Sequence, residues 1–593
     1  MDEWIAGFEA RKHTLLLNTA KTVSSAERKA DPYGNSAMAA LLLGLDEDMC
    51  NSVLCHVAEW FDHSHPTGRS HDGECDFAAM KLCRAFHLFR NGSLLSRHTL
   101  QRIKRFFLTQ DFKSKYDSEN HHLLFRTSRY LMSSVWLDSS FEAYGRAGQE
   151  LAAADANWLD AYIRFRARRG WGEFDSSCYI VPDLECLFGL YDYAPSPKLR
   201  RLAEMMITVL LADMAVDSLE GMYCGPHGRI YEAHALDHRN EPSFPLQYLY
   251  FGDVPQDWLG DRGTLVDALV SDYRPPDILL RIATRRRKPY ENLERKHLHN
   301  TSDVLPSQPF AGSIRKYTYW TPHYVLGCVQ RQDPYPADCP GRWYSHHEQH
   351  EWDLTIAGHP RTRIFTHHPG KKGNEHGYWT GDLSCGCGYF LQHRNILLAL
   401  YDIPPGEPYQ YIHAYVPREA FDGILERDGL LVLRKNKVLV GLRLLGGYTW
   451  TTSGPYRDKE VISHGPRNGV ICEVGLLSDY GSPEALADEM AANETSFDDK
   501  VMVLCYRSHR TGELRLNTRG LREVNGQELD LEYPTYSCPY LHSDWDSGVI
   551  DLKHGGNHAR LDFRETCDDS VALKVAGLGC EQGAPADADK PRR

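Results

Sequence analysis

Two adjacent polar residues, Asn120 and His121, begin a segment whose apolar residues recur at helical spacing. An amide and an imidazole at a helix N-terminus, beside backbone N–H groups without helical partners, are donors suited to an anionic ligand. The alternative is structural: Asn120 caps the helix, and His121 or His122 packs against a neighbouring element. Spacing alone leaves both interpretations open.

An aromatic and acidic loop precedes a later helical segment. It reads Gly170-Trp171-Gly-Glu173-Phe-Asp175-Ser-Ser-Cys-Tyr179. Aromatic rings beside carboxylates are typical of sugar sites, because a ring stacks on the apolar face of a pyranose. Trp171, Asp175 and Tyr179 are therefore candidate site residues. The alternative is an ordinary loop between helices, capped by Asp175.

A glycine-rich turn carries three more candidates, in the sequence Gly225-Pro-His227-Gly-Arg229-Ile-Tyr231. A guanidinium in a cleft holds a carboxylate through two hydrogen bonds, and His227 and Tyr231 add an imidazole and a phenol. The alternative is a surface turn with a solvated Arg229.

Histidines and aromatic residues are dense between positions 346 and 379. The candidates are His346, His347, His350, His367, His368, His376, Tyr378 and Trp379. This density favours a site over an exposed polar strand and raises the question of zinc. His346 and His350 are four apart on a strand-like segment, two pleats from one another, so we expect no cofactor, with zinc near 346–368 as the alternative.

Composition excludes several classes of protein. The 593 residues include 67 Lys+Arg and 80 Asp+Glu, a net charge of −13, which disfavours nucleic acid as a partner. The apolar fraction of 42% and aromatic fraction of 11% are enough for a large core. The chain lacks a Gly-x-Ser-x-Gly elbow, a phosphate loop and a dinucleotide fingerprint.

The compartment is predicted from the cysteines and the first residues. The 16 cysteines show no disulfide or zinc spacing and are expected to be free thiols. The start resembles no signal peptide and no segment is apolar enough to span a membrane, so we expect a cytoplasmic protein without a membrane partner. A homo-oligomeric protein is compatible with this sequence.

Hydrophobic periodicity changes along the chain. Helical spacing predicts helices over 36–61, 76–88, 98–108, 121–137, 149–168, 181–191 and 198–215. Short strands are predicted over 316–330, 396–401, 430–445, 469–476, 500–506 and 549–552. We therefore expect an α+β multidomain protein: an (α/α) toroid over 1–300, an antiparallel β-sandwich over 301–580 and a frayed tail over 581–593. The charged stretch 274–299 is predicted to be a solvated crossing.

These segments, in this order, resemble the heparinase II/III and alginate-lyase superfamily of polysaccharide lyases, which join an (α/α) toroid to a β-sandwich. Asn120-His121 resembles the family's Asn-His pair, and Tyr179 its catalytic tyrosine. His350 resembles the histidine that the β domain supplies, with His347 as the runner-up. The runs 365–370 and 378–381 resemble the loops that follow in similar proteins.

The resemblance implies cleavage of a uronate-containing glycan by β-elimination, and the absence of an export signal favours short oligosaccharides. Asn120 and His121 would neutralise the uronate carboxylate, with Arg229 or His368 as a second contact. Tyr179 and His350 would exchange protons.

Two alternatives remain at this point. A glycoside hydrolase on the same toroid would use Glu173 or Asp175 with Glu119 as its carboxylate pair. A carbohydrate-binding or structural protein would need none of these residues for turnover.

Overall fold

The computed structural model of the protein describes residues 2–21, 33–60, 75–114, 118–297, 313–332, 350–370, 377–380 and 387–564. Helices occupy its N-terminal part: α1 Asp2–Ala20, α2 Asn35–Leu42, α3 Glu47–Trp60, α4 Cys75–Phe89, α5 Arg97–Thr109, α6 Glu119–Val135, α7 Gly148–Arg169, α8 Ile180–Tyr193, α9 Pro197–Asp217, α10 Glu232–Leu236, α11 Ser243–Tyr250, α12 Gln256–Leu259, α13 Val266–Val270 and α14 Asp277–Thr284. Two more, α15 Leu477–Tyr480 and α16 Pro483–Ala492, lie among the later strands.

Strands dominate the remainder. Two small hairpins fall within the helical part: β1 Ser140–Phe141 with β2 Arg146–Ala147, and β3 Ser218–Leu219 with β4 Met222–Tyr223. The later strands are β5 Tyr290–His297, β6 Ser313–Trp320, β7 Tyr324–Gln332, β8 Trp352–Ile356, β9 Arg363–His367, β10 Gly388–His393, β11 Ile396–Asp402, β12 Tyr411–Tyr415, β13 Gly423–Arg427, β14 Leu430–Lys435, β15 Val438–Leu444, β16 Thr449–Trp450, β17 Glu460–His464, β18 Arg467–Leu476, β19 Glu494–Asp498, β20 Val503–Ser508, β21 Gly512–Asn517, β22 Arg522–Val524, β23 Gln527–Glu528, β24 Tyr536–Ser537, β25 Leu541–Ser543, β26 Val549–His554 and β27 Asn557–Asp562.

Local chemistry sets the ends of these elements. The Ser196 hydroxyl accepts a hydrogen bond from the Leu199 N–H at the start of α9, and Pro197 takes the first helical position, where no N–H is needed. The predicted helix 36–61 is two helices instead, because Gly44 between α2 and α3 adopts a left-handed φ of 68°. Asn436, at a φ of 50°, likewise turns the predicted strand 430–445 into the hairpin β14–β15.

The helices pack against one another in chain order, and a late helix of the region contacts the first two. α6 contacts α4, α7 and α8, and α8 contacts α9 and α13. α13 also contacts α1 and α2, so the end of the helical region meets its beginning. Side-chain amides strengthen this junction, since Asn18 donates to the carbonyls of Gly260 and Arg262. This closure is the arrangement expected of a toroid.

The sheets are antiparallel throughout. A twelve-stranded sheet has the order β16-β17-β12-β9-β8-β7-β6-β5-β24-β25-β26-β27, a six-stranded sheet the order β10-β11-β18-β15-β14-β13 and a five-stranded sheet the order β19-β20-β21-β22-β23. One apolar core lies between the first two sheets, and a second lies between the six-stranded sheet, the five-stranded sheet and α16. The predicted order of a helical region followed by antiparallel β-sheets is confirmed.

The charged stretch 274–299 differs from its prediction. It contains α14 and β5, and Arg286, Glu294 and Lys296 on it are buried. Their charges are satisfied inside the protein by other buried polar groups, so the prediction of a solvated crossing was wrong for these residues. It agrees with the exposure of Arg285, Arg287 and Lys288. All cysteines in the described ranges have free thiols. No described helix is long and apolar enough to cross a membrane.

Candidate functional site

The first residue of α6 organises the loop after α7. The buried Glu119 carboxylate accepts hydrogen bonds from the backbone N–H groups of Gly172 (2.9 Å) and Glu173 (2.6 Å) and pairs with Arg166 (2.7 Å). Because the loop is fixed by this carboxylate, Glu173 is held beside Asn120, the next residue of the helix. These contacts give Glu119 a structural role in holding the loop.

A continuous chain of polar contacts then runs through the candidate residues. Asn120 Nδ2 donates to Glu173 Oε2 at 2.8 Å, and Glu173 Oε1 lies 4.0 Å from Arg229 Nε. Arg229 Nη2 donates to the Tyr179 hydroxyl at 3.1 Å, and that hydroxyl lies 2.5 Å from the hydroxyl of Tyr231. We call Asn120, Glu173, Tyr179, Arg229 and Tyr231 the polar chain. Four of its five members were predicted site residues, and Glu173 had been considered only for the hydrolase.

The polar chain is built by local backbone geometry. Tyr179 stands directly before α8, and its N–H donates to the Ser176 hydroxyl, which in turn donates to the Arg229 carbonyl. Gly228 approaches Phe174 so closely that an added Cβ would lie 3.1 Å from the Phe174 nitrogen, and the Gly228 N–H donates to the Phe174 carbonyl at 2.7 Å. Glycine at 228 is therefore what lets the two loops meet.

His121 lies at the same helix start and is paired with an acid. Its Nδ1 lies 2.7 Å from Asp76 Oδ2, and its ring packs edge-on against Phe77. A carboxylate on Nδ1 sets the orientation of an imidazole, so proton transfer by His121 would use Nε2. Asp76 comes from α4 and was not predicted, since no local pattern links it to position 121.

Burial shifts the protonation of the polar chain. Desolvation raises the pKa of Glu173 to about 7, while Arg229 acts in the opposite direction. Burial also raises the pKa of Tyr179 well above its ordinary value, again opposed by Arg229. The guanidinium lies 4.9 Å from the centre of the Tyr179 ring. A neutral phenol beside a cation is therefore the resting form of Tyr179.

The Asp175 side chain is buried behind the loop. Lys296 and Lys316 donate to its two carboxylate oxygens, and it has almost no exposed surface. Burial acts to raise its pKa, but the two ammonium groups hold the pKa well below its ordinary value. Asp175 was predicted to bind substrate, and this placement shows why it cannot do so directly: both oxygens are taken by lysines.

His227 and His350 are also buried. Their backbones form two hydrogen bonds, from His227 N to His350 O (2.9 Å) and from His350 N to His227 O (2.8 Å). The His227 ring lies between the carbonyls of Asp175 and Tyr223, and burial lowers its pKa to about 3. These contacts join the glycine-rich turn to the β domain.

The His350 ring has no exposed surface. Its Nε2 lies 3.0 Å from Asp353 Oδ2, and its Nδ1 lies 3.1 Å from His367 Nε2. Arg363 donates to Asp353 and to the buried Glu241. In this arrangement His350 supports the turn from beneath, and its predicted proton transfer to substrate stays a prediction.

Three of the remaining candidates, His368, Tyr378 and Trp379, form a second group. His368 Nε2 lies 2.8 Å from the Tyr409 carbonyl, and the Tyr378 hydroxyl lies 3.0 Å from that of Tyr411. Trp379 is fully buried and stacks on His413 at 3.9 Å. Trp171 is buried too, under the Arg166 guanidinium. Of these, only Tyr378 is partly exposed; His346, His347 and His376 lie outside the described residues.

The described residues include one group suited to a metal by composition, Asp175, Asp213 and Glu294, whose oxygens lie within 4.8 Å of one another. Lys296 donates to Asp175 and Asp213 and forms an ion pair with Glu294, so its ammonium group takes the position that a metal ion would occupy. No histidine of the described part of 346–368 belongs to such a group.

Comparison with known proteins finds similarity to solved structures. No family model matches the chain, and no curated protein matches its sequence. A tyrosine-to-alanine mutant of chondroitin AC lyase from Streptomyces coelicolor A3 aligns over 94% of this chain and 84% of its own, at 11% identity and a TM-score of 0.36. The same lyase in complex with chondroitin sulphate aligns over 89% and 75%, at 11% identity and a TM-score of 0.25.

Proposed function

We propose that this protein is a lyase that cleaves a uronate-containing oligosaccharide by β-elimination, in the manner of the heparinase II/III and alginate lyases. The observation that supports it most is the polar chain, because it brings an amide, a guanidinium and two phenols together around Glu173. Elimination needs groups that neutralise a carboxylate and groups that move a proton, and it needs no second carboxylate and no water.

The first requirement is stabilisation of the carbanion that forms when the C5 proton leaves. The uronate carboxylate must be held by donors so that charge can spread onto it. Arg229, Asn120 and His121 are the donors assigned to it. Asn120 Nδ2 carries two N–H groups, of which one donates to Glu173 at 2.8 Å, so the other is the donor that we assign to the substrate carboxylate.

The second requirement is proton transfer at C5 and at the leaving O4. Tyr179 and Tyr231 share one short hydrogen bond, so loss of a proton from one phenol is stabilised by donation from the other and by Arg229. We assign Tyr179 to deliver the proton to the leaving oxygen. Removal of the C5 proton belongs to the Tyr179–Tyr231 pair.

The hydrolase alternative loses support at its carboxylates. Glu173, with its pKa of about 7, would suit a general acid. The two partners considered for it, Glu119 and Asp175, are paired with Arg166 and with two lysines respectively. Neither can act as a base or nucleophile without breaking a buried ion pair.

The test is a screen of uronic-acid oligosaccharides for the near-ultraviolet absorbance of a C4–C5 double bond. Tyr179→Phe is expected to lower kcat by at least about 100-fold, because general acid–base catalysis contributes about that much. Tyr191→Phe, which removes a half-buried hydroxyl from the same helix, is the matched control and should retain activity. New reducing ends without the absorbance, and with oxygen incorporated from labelled water, would establish hydrolysis instead.

A further inference from the structure

Two members of the polar chain, Glu173 and Tyr179, lie on one loop. This loop comprises residues 170–179 between α7 and α8, and we call it the site loop. The Glu119 carboxylate holds its first part, and the glycine-rich turn holds the Phe174 carbonyl. The position of the Tyr179 hydroxyl therefore depends on the path that the backbone takes from there to the start of α8.

The backbone of Asp175, the next residue, has a conformation that few residues other than glycine adopt. Its φ is 49°, in the left-handed region. Such a conformation is costly in a non-glycine residue and persists where the surrounding contacts hold it. Among the other residue types, Asp and Asn tolerate it best. The contacts of the Asp175 side chain are thus part of what sets the path of the loop.

Two lysines from the β strands provide these contacts. Lys296 of β5 and Lys316 of β6 donate to the two carboxylate oxygens of Asp175. The Lys296 side chain also packs against the start of the loop, where a Cβ on Gly170 would lie 2.9 Å from Lys296 Cγ. All three charged side chains are buried, so solvent screens their attraction little. The site loop is therefore attached to the β domain as well as to the helices.

The charge balance of the lysines does not depend on Asp175. Each lysine has two further carboxylate partners: Asp213 (2.6 Å) and Glu294 (2.8 Å) for Lys296, and Asp217 and Glu294 (3.2 Å) for Lys316. Among the described residues, four carboxylates thus meet two ammonium groups, and three carboxylates would remain without Asp175. A buried charge is strongly destabilising when it loses its partner, but here neither lysine would lose all of its partners.

We propose that Asp175 is a positioning residue for Tyr179. Held by Lys296 and Lys316, its carboxylate fixes the path of the site loop and thereby the position of the Tyr179 hydroxyl in the polar chain. The β domain in this way sets the geometry of a group that belongs to the helical region. The kinetic consequence of this inference rests on the proposed function, and its structural consequence can be measured without a substrate.

Asp175→Asn tests the structural consequence, since asparagine tolerates the left-handed backbone and the substitution removes the negative charge. The readout is the rate at which iodoacetamide alkylates Cys178, a buried thiol of the site loop, measured by peptide mass spectrometry on protein labelled in the folded state. We expect alkylation to become faster by at least about fivefold, because local opening exposes the loop. Cys186, buried on α8, is the internal control and should stay protected.

Asp217→Asn is the matched variant. It removes a carboxylate that also pairs with Lys316 and leaves both lysines with carboxylate partners, but Asp217 lies on α9 and not on the site loop. Its Cys178 should react at the rate of the unmodified protein, and thermal unfolding should show that both variants are folded. Equal Cys178 rates in the two variants, or equal acceleration at Cys186, would overturn the positioning role. So would an Asp175→Asn protein that does not fold, because the side chain would then be needed by the fold as a whole.

Kinetics test the consequence for turnover on any substrate that the unmodified protein cleaves. Asp175→Asn should lower kcat by about 10- to 100-fold, because displacement of a reacting group by about 1 Å costs about 100-fold. KM should change by less than about threefold, since Arg229 and Asn120, the groups assigned to the uronate carboxylate, lie outside the site loop. Asp217→Asn should retain the kcat of the unmodified protein.

The two proposals fail separately. Ultraviolet product from the unmodified protein, together with an unchanged kcat in Asp175→Asn, would support the lyase and overturn the positioning role. Faster alkylation of Cys178 in Asp175→Asn alone, without ultraviolet product from any uronate-containing substrate, would support the role of Asp175 in the site loop and overturn the lyase.

Discussion

At the scale of single residues, the protonation of Glu173 differs from that of an ordinary glutamate. It lies between an amide that donates to it and a guanidinium 4.0 Å away, in a site almost closed to solvent. Burial favours its protonated form, and its pKa rises from 4.5 to about 7. Near neutral pH it exchanges between a carboxylate that holds Arg229 and a carboxylic acid.

This shift predicts the pH dependence of stability. Because the pKa is raised in the folded state, the stabilising contribution is fully present below pH 4.5 and is lost as pH rises through about 7. Glu173→Gln removes the titration, so its free energy of unfolding should fall less between pH 5 and pH 8 than that of the unmodified protein, by about 2–3 kcal/mol. Urea unfolding at both pH values measures it.

The control is Glu142→Gln, which changes an exposed glutamate and should follow the unmodified protein at both pH values. Equal pH dependence in the Glu173→Gln and unmodified proteins would contradict the shift.

At the scale of elements, β5 and β6 bring charge into the interior. Glu294 and Lys316 are register partners on these strands, and Lys296 follows on the same face of β5. They meet Asp213 and Asp217 from α9 and Asp175 from the site loop. One buried ionic cluster therefore ties the β domain, a helix and the loop after α7 together.

This cluster predicts a large loss of stability when a lysine is removed. Lys316→Met leaves Asp175, Asp217 and Glu294 with less compensating charge and should cost about 3–5 kcal/mol, because an uncompensated buried charge is expensive. Adding Asp217→Asn should recover part of the loss. Chemical denaturation measures both variants.

Lys198→Met provides the comparison, since Lys198 forms a partly exposed pair with Asp160 that contributes at most about 1 kcal/mol. A Lys316→Met protein as stable as Lys198→Met would show that the cluster does not hold the domains together.

At the scale of the whole molecule, the helical core is completed by the end of the chain. Tyr536, Leu541, Ile550, Leu561 and Phe563 belong to the same apolar cluster as the helices. β26 contacts α7 and α14. The helical region and the β domain therefore share a core, in addition to the ionic cluster.

Truncation after residue 530 removes β24–β27 and exposes apolar surface on the helices. We expect the full chain to unfold in one cooperative thermal transition, and the truncated chain to aggregate or lose that transition, because buried apolar area dominates folding. Calorimetry measures both. A chain ending at residue 580 loses only the tail that is predicted to be frayed and should unfold like the full chain. Cooperative unfolding of the 1–530 chain at an unchanged temperature would refute the shared core.

Part of this architecture could be predicted from the sequence because it depends on local pattern. Hydrophobic periodicity of 3.6 and then of 2 distinguishes the helical half from the β half. Asn120, Tyr179, Arg229 and Tyr231 were recognisable because chemically active side chains stand at helix starts and glycine turns, where such groups are commonly exposed. The first and last residues of the elements were less predictable. Strand β5 was not predicted, because its buried face carries charged residues and its sequence therefore resembles that of a solvated segment.

Tertiary structure alone decided the partners and the burial of each polar residue. Asp76 reaches His121, Lys296 and Lys316 close around Asp175, and Glu232 joins Tyr456 across 224 positions. The burial of His350 likewise depends on segments that are distant in the chain. The energy of a polar or charged group depends on the partners and the dielectric around it, which come from segments far away in the chain. The sequence alone therefore determined the order of the elements and the segments that carry chemistry, and the fold determined which of those residues are positioned to use it.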